Sequence, residues 1–258
     1  MDSARARERA RRLIPPALLD ALRAWRGGWR HAQGGWPDDP PEAGWNAPSV
    51  ADSYESRTDL LATAATDAAV HNTIMCFAHA VARAAWSRPA LRVLDYGGGT
   101  GAYFDVARSL FPDLDLHYTC LDLPHVNAVG RRLRPNVHFV DSPHEAFNSS
   151  YDLVFASGSM HYSRDWRETS RLLAGCTSAF AYFTRIPIVA VAPSFVVNQR
   201  AYGTEYPGWF LNRGEFLSAC AGVGLHLEHE FWLDERPVVR DAPEQAEYRG
   251  YLFRRHAT

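Results

Sequence analysis

The chain has 258 residues, 47% of them hydrophobic, and a formal net charge of -2, enough to bury a full core as one soluble domain with extensions. That charge balance excludes a nucleic-acid binder working by bulk electrostatics, no stretch approaches the ~18 apolar residues of a membrane span, and MDSARARERARRL has no apolar signal core behind its charges. All 27 basic residues are arginine, which removes a pyridoxal-phosphate Schiff base and a P-loop lysine from consideration.

In chain order, residues 1–57 are rich in Arg, Trp, Pro and Gly, and prolines at 37, 40 and 41 forbid long regular structure, so this is an N-terminal extension rather than a second core. Its opening arginines, with Trp25 and Trp29, read as a solvated basic helix; contact with an anionic membrane or a lipid-linked substrate is the alternative. Over 58–89, apolar residues at 60, 61, 64, 70, 74, 77, 78, 81 and 85 keep helical spacing until Ser87-Arg88-Pro89, which predicts one long amphipathic helix packed on the core. His71 and His79 fall on it as ordinary helix residues. Residues 90–258 then alternate short apolar strands (91–96, 116–121, 136–141, 151–157, 179–184, 225–233, 248–255) with helices near 101–110, 124–133, 165–174 and 213–221. This alternation implies an α/β domain with a parallel sheet covered on both faces. Asp165 with Glu168 and Asn212 with Glu215 have capping-box spacing. Cys76, Cys120, Cys176 and Cys220 lie far apart and never as C-x-x-C, which suits a reducing cytoplasm. No metal site is expected: in HLEHE, His226 and His229 sit three apart in a strand and point to opposite faces.

The stretch VLDYGGGTGAYF, residues 93–104, joins the first of these strands to a helix through Gly97, Gly99 and Gly101. Such a turn lets a ligand approach bare backbone at a helix N-terminus, as nucleotide-like cofactors require. G-x-G-x-x-A at Gly97, Gly99 and Ala102 also matches a dinucleotide fingerprint. Asp95, two residues before the first glycine, would repel a pyrophosphate but suits a cofactor with a cationic amino-acid end. Asp122 ends the next strand, where a carboxylate accepts ribose hydroxyls. Asp141-Ser142 ends the third, where a carboxylate either takes an adenine amino group or merely forms a turn. Small residues at Ser157-Gly158-Ser159 leave room beside the cofactor.

VLDYGGGTG, LDLP, VDS and YDLVFASGSMHY, in this order, resemble the class I S-adenosylmethionine-dependent methyltransferases over residues 90–258. GGWPDDPPEAGW and TRIP…NQRAYGTEYPGWFLNRGEF extend the resemblance to a methyltransferase family of bacterial polysaccharide and natural-product biosynthetic clusters. The resemblance implies a Rossmann-like, doubly wound seven-stranded sheet with an antiparallel last strand at 248–255. It also implies S-adenosylmethionine as cofactor, with Asp95, Gly97 and Gly99 on its methionine end, Asp122 on the ribose, Leu123 on the adenine and Asp141 on the adenine amino group, Gly101, Ser142 and Ser157 completing the set.

SMHYSRDW resembles the segment that carries the catalytic histidine of plant-type small-molecule O-methyltransferases, which makes His161 the candidate base for a hydroxyl acceptor. Here Tyr-Ser-Arg intervene before Asp-Trp, so Tyr162 could face the site instead, and a contact or packing role for His161 stays open. The segment 185–212 is long for a plain connection and reads as a substrate or lid insertion, with Arg185, Gln199, Tyr206 and Trp209 as candidate acceptor contacts. The expectation is a methyltransferase acting on a small molecule or a sugar, at oxygen rather than nitrogen or carbon. Its rivals are a catalytically inactive binding protein of the same fold and a nicotinamide oxidoreductase.

Overall fold

The computed structural model describes residues 28–39, 44–55 and 59–256; the arginine-rich segment with Trp25 lies outside them. Seven strands form the central sheet: β2 (Ala90–Tyr96), β3 (Asp115–Leu121), β4 (His138–Val140), β5 (Tyr151–Ser157), β6 (Thr177–Val189), β9 (Leu225–Trp232) and β11 (Glu247–Arg255). Their spatial order is β4-β3-β2-β5-β6-β11-β9. The first five run parallel, whereas β11 is antiparallel to both β6 and β9. The anticipated antiparallel last strand is thus inserted between two earlier ones. Both faces are covered, so the central strands carry apolar residues at consecutive positions rather than alternating, as Val93-Leu94 and Leu153-Val154 show, each fully buried. One face packs on Phe77 and Val81 from α3 (Ala68–Ala85) and on Val106 from α4 (Ala102–Leu110). The other packs on Trp166 and Leu173 of α7 (Trp166–Cys176) and on Phe216 of α8 (Arg213–Gly222).

The single helix anticipated over 58–89 is two. A short α2 (Leu60–Ala64) is capped by Asp59 and ends at Ala65. The chain then restarts at Asp67, whose side chain accepts from the amides of Ala69 and Val70. Asp67 with extended backbone is a better N-cap than a helix-interior residue, and that local bond outweighs the apolar spacing that runs through it. The capping boxes form in half: Asp165 accepts from Glu168 N at 2.9 Å and Asn212 from Glu215 N at 3.2 Å, while Glu168 pairs with Arg171 and Glu215 with Arg167 and Ser194.

The sheet is also wider than seven strands. Within 185–212 the chain forms a hairpin, β7 (Phe195–Ala201) and β8 (Thr204–Asn212), turned at Tyr202-Gly203, both with positive φ, the geometry whose twist matches paired strands. The end of β8 joins β6. On the other edge of the hairpin lies β1 (Trp29–His31), from the extension, and beyond it β10 (Val239–Arg240). A 3-10 turn at Gly44–Asn46 and α1 (Pro48–Glu55) lead from the extension over the C-terminal ends of the parallel strands, and α5 (Pro124–Leu133) and α6 (Pro143–Phe147) follow β3 and β4. Among the described residues no helix is long and apolar enough to cross a membrane.

Candidate active site

β2 stops at Tyr96 because the next residues leave strand geometry: Gly97, Gly99 and Gly101 have φ of +67°, +60° and +76°, a region costly for any residue with a Cβ. At Gly97 space is as decisive as φ, since a Cβ there would lie 2.3 Å from Ser159 Cβ. Ser159 in turn donates its hydroxyl to the Tyr96 carbonyl at 2.6 Å, which binds the turn to the end of β5.

Asp95 is fully buried just before this turn. Its Oδ2 accepts the Tyr118 hydroxyl at 2.7 Å, and its Oδ1 is buried without a partner. Burial, opposed by the Tyr118 bond and reinforced by the charge of Asp122, pushes its pKa up to about 7. An unmet buried acceptor costs ~1–3 kcal/mol, and a cationic donor would satisfy it. Asp122, at the mouth of β3, accepts Gly99 N at Oδ2 and Leu123 N at Oδ1, both at 2.7 Å. Burial raises its pKa and these two bonds oppose that rise. Each of its oxygens keeps a second lone pair for a ligand.

Two cavities adjoin above the turn. One, about 370 Å³, is bounded by Asp122, Leu123, Asp141 and Tyr96; the other, about 350 Å³, by Asp95, His161, Arg185, Gln199, Tyr206 and Tyr248. They share Trp45, Tyr54, Gly97, Ser157, Gly158 and Tyr162. Asp141 reaches the first with one oxygen committed to Asn127 (2.7 Å) and Arg131 (3.0 Å). Burial works against it, but these two partners hold its carboxyl below the usual range. Ser142 lines neither cavity, because it is spent as the residue before α6.

An O-methyltransferase family protein of Burkholderia thailandensis shares this architecture at 15% identity, with a TM-score of 0.58 over 86% of this chain and 65% of that one. An S-adenosylmethionine-dependent methyltransferase of Clostridium acetobutylicum gives 10% identity and a TM-score of 0.54 over 80% and 99% of the two chains. The magnesium protoporphyrin IX methyltransferase of Synechocystis, solved with S-adenosylhomocysteine bound, gives 12% and 0.52 over 72% and 84%. The chain has the class I methyltransferase fold. In sequence, it is 50% identical over 52 residues to the demethylspheroidene O-methyltransferase of Rhodobacter capsulatus, a match spanning 20% of this chain and 13% of that protein. No protein-family profile matches the chain.

The cavity bounded by Asp95 and Arg185 is built in part on the 3-10 turn Met160–Tyr162. His161 is 1% exposed, and neither ring nitrogen has a partner. Burial, with the nearby Arg185 charge, lowers its pKa to about 3, so the imidazole is neutral. Tyr162 faces both cavities; its hydroxyl donates to Gln199 Oε1, and its ring stacks on Trp29 at 6.0 Å. The tight turn thus brings both members of the His161/Tyr162 alternative to one cavity. Tyr206 lines it too, buried, with no partner on its hydroxyl.

Trp209 does not. Side chains alternate along a strand, so Tyr206 and Trp209, three apart on β8, face opposite ways. The Trp209 indole donates to the Arg164 carbonyl at 3.0 Å and stacks on Trp36, away from both cavities. In HLEHE, the His229 ring lies against Phe231 and His79, and that of His226 against His256. Among the described residues no three or more His, Cys, Asp or Glu side chains are placed to share a metal.

Three participants escape the sequence reasoning. Trp45 stacks on Tyr206 at 4.0 Å and meets the Tyr162 ring edge-on at 4.8 Å. Tyr54 lies so close over the glycine turn that a Cβ on Gly99 would come within 2.8 Å of its ring. Both come from the extension, where the density of aromatic residues in a stretch without apolar periodicity was the available signal. Asn127, fully buried, reaches the carbonyls of Asp122 (2.9 Å) and Val140 (2.8 Å) and so ties the ends of β3 and β4 together.

Proposed function

We propose that the protein is an S-adenosylmethionine-dependent methyltransferase that methylates a hydroxyl of a small-molecule or sugar acceptor. The observation that carries this is the unpaired Asp95 Oδ1, buried beside the glycine turn where the two cavities meet. A cationic donor would satisfy it, and the amino-acid end of S-adenosylmethionine offers one whereas a pyrophosphate does not. The rest of the site fits the same molecule. Asp122 has lone pairs for a ribose diol, Leu123 offers an apolar face to an adenine, and Asp141 keeps an oxygen for its amino group.

When bound, S-adenosylmethionine supplies an electrophilic methyl group on a sulfonium. The chain's own part is to hold the acceptor close and aligned and to receive its proton. His161 lines the acceptor cavity, neutral and with both ring nitrogens unpartnered, so it is available to take that proton, while the burial that keeps it neutral also makes it a weaker base than an exposed imidazole. Tyr162, fixed by Gln199, and the ring of Tyr206 orient the acceptor, and the β7–β8 hairpin with Trp45 and Tyr54 walls the site on one side. The names of the Rhodobacter and Burkholderia relatives support oxygen as the acceptor atom. Four buried free thiols suit a reducing cytoplasm as the place of work.

Calorimetry against S-adenosylhomocysteine and NAD tests the class: binding of the first alone is expected, and the reverse preference refutes it. Turnover separates an enzyme from an inactive binding protein. Release of S-adenosylhomocysteine in the presence of hydroxylated acceptors is the expected result.

A further inference from the structure

Two of the hydroxyls lining the acceptor cavity are already paired with neighbouring side chains. The Tyr162 hydroxyl is taken by Gln199, and that of Tyr103 lies 3.3 Å from Ser157 Oγ. What remains buried and unpaired there, apart from Asp95, is Arg185 Nε, the Tyr206 hydroxyl and the two His161 nitrogens. That set is rich in donors and contains a cation. A hydroxyl needs only the imidazole, so the guanidinium calls for a second, acceptor-rich group on the same ligand.

Arg185 is held in an unusual way. Its φ is +52°, at a register break where Arg249 faces Ile186 but Tyr251 faces Phe183. This bulge of β6 sits opposite Gly250, the only residue that fits, because a Cβ there would lie 2.9 Å from the Tyr182 hydroxyl and 3.0 Å from Thr184 Oγ1. A left-handed conformation is unfavourable for arginine, and bulges re-aim side chains at sites. The carboxylate partner of Arg185 is Glu235, in the connection between β9 and β10. Both of its oxygens bear on Nη2 alone, at 3.0 and 2.9 Å, and both side chains are about two-fifths exposed. Such an exposed pair holds little energy, so a ligand carboxylate can displace Glu235 from Nη2 and bind bidentate across Nη2 and the unpaired Nε.

Resting on the methyl-transfer reading above, we infer that the acceptor is a monocyclic hydroxy acid whose carboxylate is held by the Nε edge of Arg185 while its hydroxyl lies at His161. The cavity, about 350 Å³, also contains Asp95 and the glycine turn, so the cofactor's amino-acid end takes part of it and the remainder suits no more than one ring. Two sources share this chemistry, an aromatic hydroxy acid and a uronate sugar.

The test is calorimetry on protein saturated with S-adenosylhomocysteine, using para-hydroxybenzoate, glucuronate and the uncharged amide of each. One acid should bind at least about tenfold tighter than its amide, as expected for a charge-assisted bond, and which acid does so identifies the source. Arg185→Gln should remove that preference, weakening the acid about 10- to 100-fold while leaving the amide unchanged. Glu235→Gln, which takes away the competing carboxylate without touching the bulge, should tighten the acid. Equal binding of acid and amide, no binding of either acid, or equal loss of both in Arg185→Gln overturns the inference. If S-adenosylhomocysteine itself fails to bind, the methyl-transfer reading falls instead, and the preference for acid over amide is then measured on the protein alone.

Discussion

Replacing Asp95 with Asn should make the protein more stable and the cofactor site weaker. The native carboxyl is fully buried with one oxygen unpaired, and its pKa rises from 3.8 to about 7. Because the folded-state value lies above the unfolded one, the folded protein holds a proton between pH 3.8 and about 7 that the unfolded chain has released. Stability therefore declines as pH rises through this window, and the full penalty applies above it. At ~1.4 kcal/mol per pH unit, the three-unit gap amounts to at most ~4 kcal/mol. The introduced amide keeps an acceptor for the Tyr118 hydroxyl and carries no charge. At pH 8 the ligand-free variant should gain ~1–3 kcal/mol, or about 2–10 °C in Tm, and the gain should vanish near pH 4. S-adenosylhomocysteine should bind it about 10- to 100-fold more weakly, the worth of a hydrogen bond between charged groups. In the wild type, affinity should fall as pH drops below about 7, since the cation must displace a proton. Thermal unfolding from pH 4 to 8 and calorimetry measure both halves. A variant that is less stable at pH 8 and binds as well as wild type would refute the reasoning.

His161→Ala should reduce turnover about 10²- to 10⁴-fold with cofactor affinity intact, and His161→Gln should recover little of it; a near-normal Gln variant would make the imidazole a contact rather than a base. Since burial lowers the His161 pKa to about 3, the pH–rate profile should show no limb from it near pH 6.5, and one at that position would mean the ring is solvated during the reaction. Trp45→Ala and Tyr54→Leu should weaken both cofactor and acceptor, because both residues line both cavities, and titrations of each ligand would show it. Tyr206→Leu should raise the acceptor KM, whereas Trp209→Leu, on the opposite face of β8, should lower Tm and leave KM unchanged.

The glycine turn and the acids beside it were legible because local backbone chemistry dictates them. A strand that must stop at Tyr96, glycines at positive φ and an acid directly before them at Asp95 leave a mark in adjacent residues. The sheet core was legible for the same reason, as apolar runs of strand length between helical stretches. What escaped depends on residues distant in sequence. Nothing near Trp45 says that it will stack on Tyr206, and nothing near Asn127 says that it will clasp two strand ends. The β7–β8 hairpin was hidden by its Tyr-Gly turn and by polar residues such as Gln199 that face a cavity rather than solvent. Trp209 was misassigned as an acceptor contact for want of that strand, since only a known register separates it from Tyr206.

The pairing of β1 has a consequence in time. Trp29 lies opposite Gln199 on one side and Val239 on the other, so a segment synthesised early finds its neighbours only when most of the chain exists. The glycine turn and its flanking βα units, by contrast, are contiguous and can form soon after residue 160 emerges, and nearby contacts assemble faster than remote ones. The pocket floor is thus laid down long before its wall. A ribosome-bound chain halted short of residue 195 would carry the Asp95 turn but lack β7 and β10, the two strands that flank Trp29.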